Sequence, residues 1–173
     1  MSEQVLQNLI SNLPNEPTFD LTQWQPKLCG KIDILIKRNG EWWHAGQQIH
    51  RTRLIHLFSK LLWQEDHKFY LKTPVEKLEI AVEDAPFLII QIEKQNNVIY
   101  AQTLQEQWVQ IDAQHTIEMK DEKPYLYVRQ GLLGLLTRSA FFQLIACGEL
   151  QENEWGETLL NLQSGDFCWQ LKA

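Results

Sequence analysis

"KIDILIKRNGEWWHAGQQIHRTRLIHLF", residues 31–58, predicts a hairpin followed by a helix. Isoleucines recur at every second position in its first part, which is the period of a strand with one buried face. Asn39-Gly40 then separates two strand-like runs, and Asn-Gly favours tight hairpin turns because both residues tolerate positive φ. After Gly46 the apolar spacing becomes helical, so we expect a helix over residues 51–63 with one buried stripe.

The rest of the chain is predicted to be extended, with two more helices. Residues 1–30 indicate a short amphipathic helix and an irregular arm that Pro14, Pro17 and Pro26 interrupt. The apolar run 131–147 predicts a long helix buried on most sides. Strands are expected at 68–72, 78–82, 88–92, 98–103, 108–111, 116–119, 125–129 and 167–171.

The order of these elements favours an α+β fold with a duplicated core. Each half runs hairpin, helix, strand, and around the helices Thr52-Arg53 aligns weakly with Thr137-Arg138. The predicted organisation is an N-terminal helix and arm over 1–30, a first α+β domain over 31–84 and a second over 85–173.

Composition limits the class of protein. A hydrophobic content of 44% supplies enough apolar area for a packed interior. The net charge of −6 argues against binding to duplex DNA or a membrane surface, although a local basic patch would still accept a small anion. Three scattered cysteines form neither a disulfide framework nor a zinc motif, and no signal peptide or membrane span is evident. We therefore expect a cytoplasmic protein.

Arg51 is the first candidate binding residue. On a helical wheel it points along the buried stripe, whereas Arg53, His56 and Lys60 project towards solvent. A buried guanidinium requires a partner. One interpretation is a structural ion pair with Glu76 or Asp84, and the other is an anion-binding arginine beside the positive end of the helix.

Arg129 and Arg138 repeat this pattern at the second predicted helix, where a satisfied interior ion pair is the simpler interpretation.

Thr73 and Glu76 have capping-box spacing around Pro74, which predicts a single helical turn. The Thr73 hydroxyl and the backbone amides of this turn either cap it or line a pocket. Trp42 and Trp43 face opposite ways on one strand, so one belongs to the core and the other is free to cover an interface or stack on a flat ligand.

Motifs for catalysis or metal binding are missing. The spacing of six between His44, His50 and His56 does not suit one helical metal-binding face, and neither a nucleophile motif nor a glycine-rich phosphate loop occurs. No metal or cofactor is predicted, and an enzyme is less favoured than a binding protein.

Four stretches together resemble the bacterial family called domain of unknown function 1285. They are "CGKIDILIKRNGEWWHAGQQIHRTRLIHLFSKLL", "YLKTPVEKLEIAVEDAPF", "VRQGLLGLLTRSAFFQL" and "SGDF", and they span residues 29–168. Gln48-Ile49 stands where that family often has proline before the isoleucine.

The resemblance implies two similar small domains, the second superficially pleckstrin-homology-like, with a ligand cleft between them and a role in signal transduction. It carries over a set of ligand-binding candidates: Trp43, Arg51, Thr73, Glu76, Asp84, Arg129 and Arg138. The resulting hypothesis is a non-catalytic protein that binds an anionic, nucleotide-like small molecule. The alternative is an adaptor whose cleft binds a partner protein.

Overall fold

The computed structural model describes residues 2–14 and 18–172 of a chain that is mostly β with few helices. The chain divides into two compact units, Met1–Asp84 and Ala85–Ala173. Pro17, which the sequence placed in the N-terminal arm, lies outside the described residues, as does the side chain of Val5. None of the helices in the described part of the chain is long and apolar enough to cross a membrane.

The described residues of the first unit form one mixed sheet, two α-helices and a short 3₁₀ helix. Its elements in chain order are α1 Ser2–Ser11, a 3₁₀ helix Leu21–Gln23, β1 Leu28–Ile36, β2 Trp42–His44, β3 Gln47–Gln48, α2 Thr52–Leu61, β4 Leu62–Glu65, β5 Lys68–Lys72 and β6 Glu76–Val82. The sheet has the order β3-β2-β1-β6-β5-β4. Only β1 and β6 are parallel, and the other pairs are antiparallel.

The core of the first unit lies where α2 packs against the sheet. Trp42 and Phe58 are both almost completely buried, and their ring centroids are 6.1 Å apart. The helix ends at Leu61, and Trp63 belongs to β4 rather than to the predicted helix. The hairpin predicted around Asn39-Gly40 is confirmed, because β1 and β2 pair antiparallel through Ile36 and Trp42.

The second unit contains nine strands and one α-helix among its described residues. In chain order they are β7 Phe87–Gln95, β8 Val98–Thr103, β9 Trp108–Gln110, β10 Ile117–Lys120, β11 Lys123–Arg129, β12 Leu132–Leu136, α3 Arg138–Ala146, β13 Glu149–Glu152, β14 Thr158–Ser164 and β15 Phe167–Lys172. The sheet order β10-β11-β12-β7-β8-β9 has one parallel pair, β12 with β7. A separate sheet has the order β13-β14-β15.

The two six-stranded sheets have the same topology. In each, three consecutive strands form a meander, three later strands form a second meander, and the first strand pairs parallel with the sixth. The duplication therefore lies in the sheets. The helices do not correspond, because α2 joins the two meanders of its sheet whereas α3 follows the second meander. The alignment of Thr52-Arg53 with Thr137-Arg138 is therefore wrong as a structural equivalence.

The long helix predicted over residues 131–147 is also wrong in its first third. Leu132–Leu136 is strand β12, held between β11 and β7, and α3 starts only at Arg138. Gly131 has φ of 80° and Gln130 has φ of 47°, which are the dihedrals of a two-residue hairpin turn. This turn reverses the chain into β12, so the apolar run begins in the sheet.

Candidate ligand-binding site

Arg51 is the N-cap residue of α2 and is exposed, not buried as the helical wheel predicted. Its backbone is extended, with φ of −75° and ψ of 95°, so helical spacing does not apply to its side chain. Among the described residues it makes no ion pair. The proposed pairing with Glu76 or Asp84 is therefore wrong.

Those two acids have other surroundings. A carboxylate oxygen of Asp84 lies 3.2 Å from Nε of Arg38, and the Asp84 side chain is only 9% exposed. Oε1 of Glu76 is buried and accepts no hydrogen bond from the residues that the structure describes. Glu76 begins β6, directly after the turn that contains Thr73.

A pocket of about 830 Å³ opens beside Arg51. Its walls come from α1, from the β2–β3 turn and from the start of α2. Apolar side chains form one part of the lining: Leu6, Ile10, Ile49, Leu54 and Leu57. Polar or cationic residues form the other: Gln7, His44, Gln47, Gln48, His50, Arg51 and Arg53.

The lining that the structure describes contains basic side chains and no acidic ones. Arg51 and Arg53 both line the pocket, and no carboxylate does so among the described residues. The first turn of α2 contains no acidic residue, and no side chain caps its free N–H groups. Unsatisfied N–H groups and the helix dipole favour an anion at this position.

His44 also lines the pocket, although neither ring nitrogen is free and exposed there. Its Nδ1 lies 2.8 Å from the carbonyl oxygen of Asp33, so Nδ1 carries the proton in that hydrogen bond. Its Nε2 is buried and has no hydrogen-bond partner in the described chain.

Trp43 does not line this pocket. Trp42 is the buried member of the pair and Trp43 is half-buried on the opposite face, which confirms the prediction that they face apart. The Trp43 Nε1 donates to the Glu41 carboxylate at 3.0 Å, and the Lys37 Nζ lies 3.7 Å from the Trp43 ring centroid. Lys37 thus occupies one face of the ring on which a ligand was expected to stack.

Thr73 is completely buried and its hydroxyl organises the β5–β6 turn. Its Oγ1 accepts hydrogen bonds from the N–H groups of Val75 and Glu76 at 3.3 and 3.0 Å, and it lies 3.2 Å from the Glu76 carbonyl oxygen. The predicted side-chain cap exists, but the turn is not helical. The hydroxyl is engaged with the backbone, so a pocket-lining role is not seen in the structure.

Arg129 and Arg138 belong to the second unit. Arg129 ends β11, and its guanidinium lies 5.6 Å from the Phe87 ring centroid. Burial lowers the pKa of Arg129 to about 10, because desolvation disfavours its charged form. Arg138 is instead exposed at the start of α3, 5.6 Å from the Phe142 ring, so the predicted semi-buried seam includes Arg129 only.

The pocket lies in the segment that the sequence analysis emphasised, but most of its lining residues were not among the predicted binding residues. Of the predicted candidates only Arg51 lines this pocket, whereas Arg53 was assigned to the surface and His44 and His50 were weighed only as metal ligands. The local density of basic residues in "HRTR", residues 50–53, was the available indication. Within residues 2–14 and 18–172, no group of three or more His, Cys, Asp or Glu side chains is arranged to hold a metal ion.

Comparison with known proteins places this architecture in a family. The model of the N-terminal domain of the domain of unknown function DUF1285 matches residues 20–85, and the model of the C-terminal domain matches residues 86–171. A crystal structure of a DUF1285 family protein from Silicibacter pomeroyi superposes with a TM-score of 0.82 and 29% identity, covering 96% of this chain and 93% of that one. No protein of curated function matches the chain.

A second crystal structure, of a DUF1285 family protein from Shewanella baltica, gives a TM-score of 0.58 at 28% identity. It covers 65% of this chain and 90% of that one. The fold thus defines a mostly β protein of two units with a duplicated sheet. The chain belongs to the DUF1285 family.

Proposed function

We propose that the protein binds an anionic small molecule, without catalysis, in the pocket beside Arg51. The observation that carries this proposal is the basic lining of the pocket. Arg51, Arg53 and the uncapped start of α2 meet in one pocket of a protein with a net charge of −6. Guanidinium groups and helix N–H groups are the donors that proteins use for phosphates and carboxylates.

The apolar part of the lining favours a ligand with a hydrophobic or flat body. Leu54 and Leu57 of α2 and Ile10 of α1 supply this wall, and a nucleotide-like compound has both the anionic group and the flat ring. A role in signal transduction and a pleckstrin-homology-like second unit are part of the same proposal, and they rest on the family resemblance. Arg129 and Arg138 are not required, because this pocket lies within the first unit.

The test is isothermal titration calorimetry with adenosine monophosphate, with uncharged adenosine as the matched ligand. We expect adenosine monophosphate to bind at least about tenfold more tightly, and Arg51→Ala or Arg53→Ala to weaken it by about tenfold, or 1.4 kcal/mol. Binding should weaken with added salt.

The control variant is Arg38→Ala. Arg38 is exposed and pairs with Asp84, and it does not line the pocket, so binding should be unchanged. Equal affinity for adenosine, or unchanged affinity in Arg51→Ala, contradicts the proposal.

Protein binding is the second candidate function, and an edge strand favours it. All four residues of β13 are exposed at the edge of the three-stranded sheet, and Trp155 beside it is 82% exposed. Exposed edges and aromatic side chains are common features of protein interfaces. A stoichiometric partner that binds the wild-type protein and is lost with Trp155→Ser would support this function over the first.

A further inference from the structure

A second pocket of the first unit contains a buried lysine. The pocket has a volume of about 440 Å³ and shares no lining residue with the pocket beside Arg51. Its lining consists of Trp24, Gln25, Pro26, Trp63, Gln64, Glu65, Lys72 and Lys77.

Lys72 is placed there by the register of the sheet. It lies directly opposite Lys77 in the antiparallel β5–β6 pair, and like charges in that position repel each other. Lys77 is neutralised by an ion pair with Glu65. Lys72 is only 7% exposed and has no hydrogen bond or ion pair with a described residue, although its Nζ lies 3.8 Å from the Trp63 ring centroid.

The partly desolvated charge of Lys72 opposes folding. Burial lowers the pKa of Lys72 below its usual range, and the nearby Glu65 carboxylate offsets this only in part. The unfolded chain therefore holds this proton more tightly than the folded protein does. The resulting loss of stability is fully present below the folded-state pKa and fades as the pH rises towards the unfolded value.

Two tryptophans and a proline give the pocket flat apolar surfaces between its polar lining residues. The Trp24 ring packs against Phe19, with centroids 5.5 Å apart and planes inclined by 50°, and Pro26 follows two residues later. Trp63, on β4, supplies the ring that Lys72 Nζ contacts. Rings of this kind bind flat organic molecules through large contact areas at little entropic cost.

We infer that this pocket binds a flat organic monoanion, such as an aromatic carboxylate. Its carboxylate would accept hydrogen bonds from Lys72 Nζ, and its ring would lie against Trp24 and Pro26. With Lys77 paired to Glu65, Lys72 leaves one uncompensated positive charge in the pocket lining, which a monoanion would neutralise. This inference is independent of the pocket beside Arg51.

The experiment is calorimetric titration of the full chain with 2-naphthoate, and with 2-naphthamide as the uncharged analogue of the same shape. We expect naphthoate to bind at least about tenfold more tightly than the amide. Lys72→Met, which keeps the aliphatic stem, should reduce naphthoate binding to the level of the amide without lowering the melting temperature, because it removes a partly desolvated charge.

Lys68→Met is the matched control. Lys68 is also on β5 but is exposed and pairs with Glu79, so its loss should leave naphthoate affinity unchanged. Intermolecular nuclear Overhauser effects between naphthoate and the Trp24 indole of the wild-type protein test the site without any variant.

Three results overturn the inference: equal affinity for acid and amide, unchanged affinity in Lys72→Met, or contacts of naphthoate at other residues only. A lower melting temperature of Lys72→Met with unchanged affinity would assign Lys72 a structural role over Trp63. Because adenosine monophosphate is the probe for the pocket beside Arg51, either proposal can fail without the other.

Discussion

Thr73 shows how much one hydroxyl contributes at a turn. It is completely buried and satisfies two backbone N–H groups between β5 and β6. Buried donors that lose their acceptor cost about 1–3 kcal/mol each. The family motif around Thr73 is therefore explained by the turn itself, before any ligand is considered.

We predict that Thr73→Val lowers the free energy of unfolding by about 1–3 kcal/mol, because the two N–H groups are only partly buried. Valine has nearly the shape of threonine but leaves the N–H groups of Val75 and Glu76 without their acceptor. Thr73→Ser keeps the hydroxyl and should retain most of the stability, apart from the lost methyl group. Urea unfolding followed by tryptophan fluorescence measures both variants, and equal losses for valine and serine would contradict this account.

The burial of the Arg51 side chain was predicted wrongly from the helical wheel. The wheel assumes helical geometry at every position, and Arg51 is the extended residue that precedes the helix. The helix itself was predicted to start there, one residue early. A boundary error of this size is small for an element but reverses the direction of a side chain. The basic segment was thus predictable, whereas the burial of its individual side chains was not.

At the scale of elements, hairpins were predicted well and the apolar run at residues 131–136 was not. Asn39-Gly40 and Asn96-Asn97 are turn residues whose chemistry is local, and the hairpins around both exist. "LLGLL" is apolar at both faces, and such a run fits a buried strand as well as a buried helix. Its pairing with β7 depends on residues 47 positions earlier in the chain, so no local pattern decides it.

Gly134→Ala distinguishes the strand from the predicted helix. In a helix this substitution stabilises by about 1 kcal/mol. In β12 the added Cβ would lie 2.7 Å from Cδ1 of Ile89, a completely buried side chain, and 3.2 Å from Cγ2 of Val128. We therefore expect a loss of about 1–3 kcal/mol in the free energy of unfolding.

The matched test is the double variant with Ile89→Val, which removes the Cδ1 atom that alanine would meet. Gly134→Ala should then cost less than it does alone, and chemical denaturation of the four proteins gives this coupling. A stabilising effect of Gly134→Ala in the wild-type background would contradict the close approach of β12 and Ile89.

At the scale of the whole molecule, the sequence indicated the duplication only through a similar order of elements in the two halves. The repeated order of strands is visible in the sequence, but the equivalence of the sheets is a matter of pairing, with β1 parallel to β6 and β7 parallel to β12. The helices misled the alignment because they are the most conspicuous apolar segments yet occupy different places in the two topologies. Two sheets can have the same strand pairing without similar amino-acid sequences, since many sequences are compatible with one strand pattern.

The hydrogen bonding of the second unit predicts that residues 85–173 fold on their own. Every strand from β7 to β15 pairs within this unit, and α3 packs on β7 and β12. The three-stranded sheet is tied to the other sheet, because the buried Ser164 Oγ accepts from Ile99 N–H at 2.9 Å and the Gly165 N–H donates to the Asn97 carbonyl at 2.8 Å. We expect a dispersed amide spectrum and one cooperative thermal transition.

A shorter chain of residues 85–147 is the control for this prediction. It lacks β13 to β15, so the Ile99 N–H loses its acceptor and the six-stranded sheet loses the contacts of β14 with β8 and of β15 with β10. The shorter chain should therefore melt at a lower temperature or fail to fold. If instead residues 85–173 give a collapsed spectrum that becomes dispersed only when residues 1–84 are added, the pairing within the second unit is not sufficient to stabilise it, and the two units fold as one.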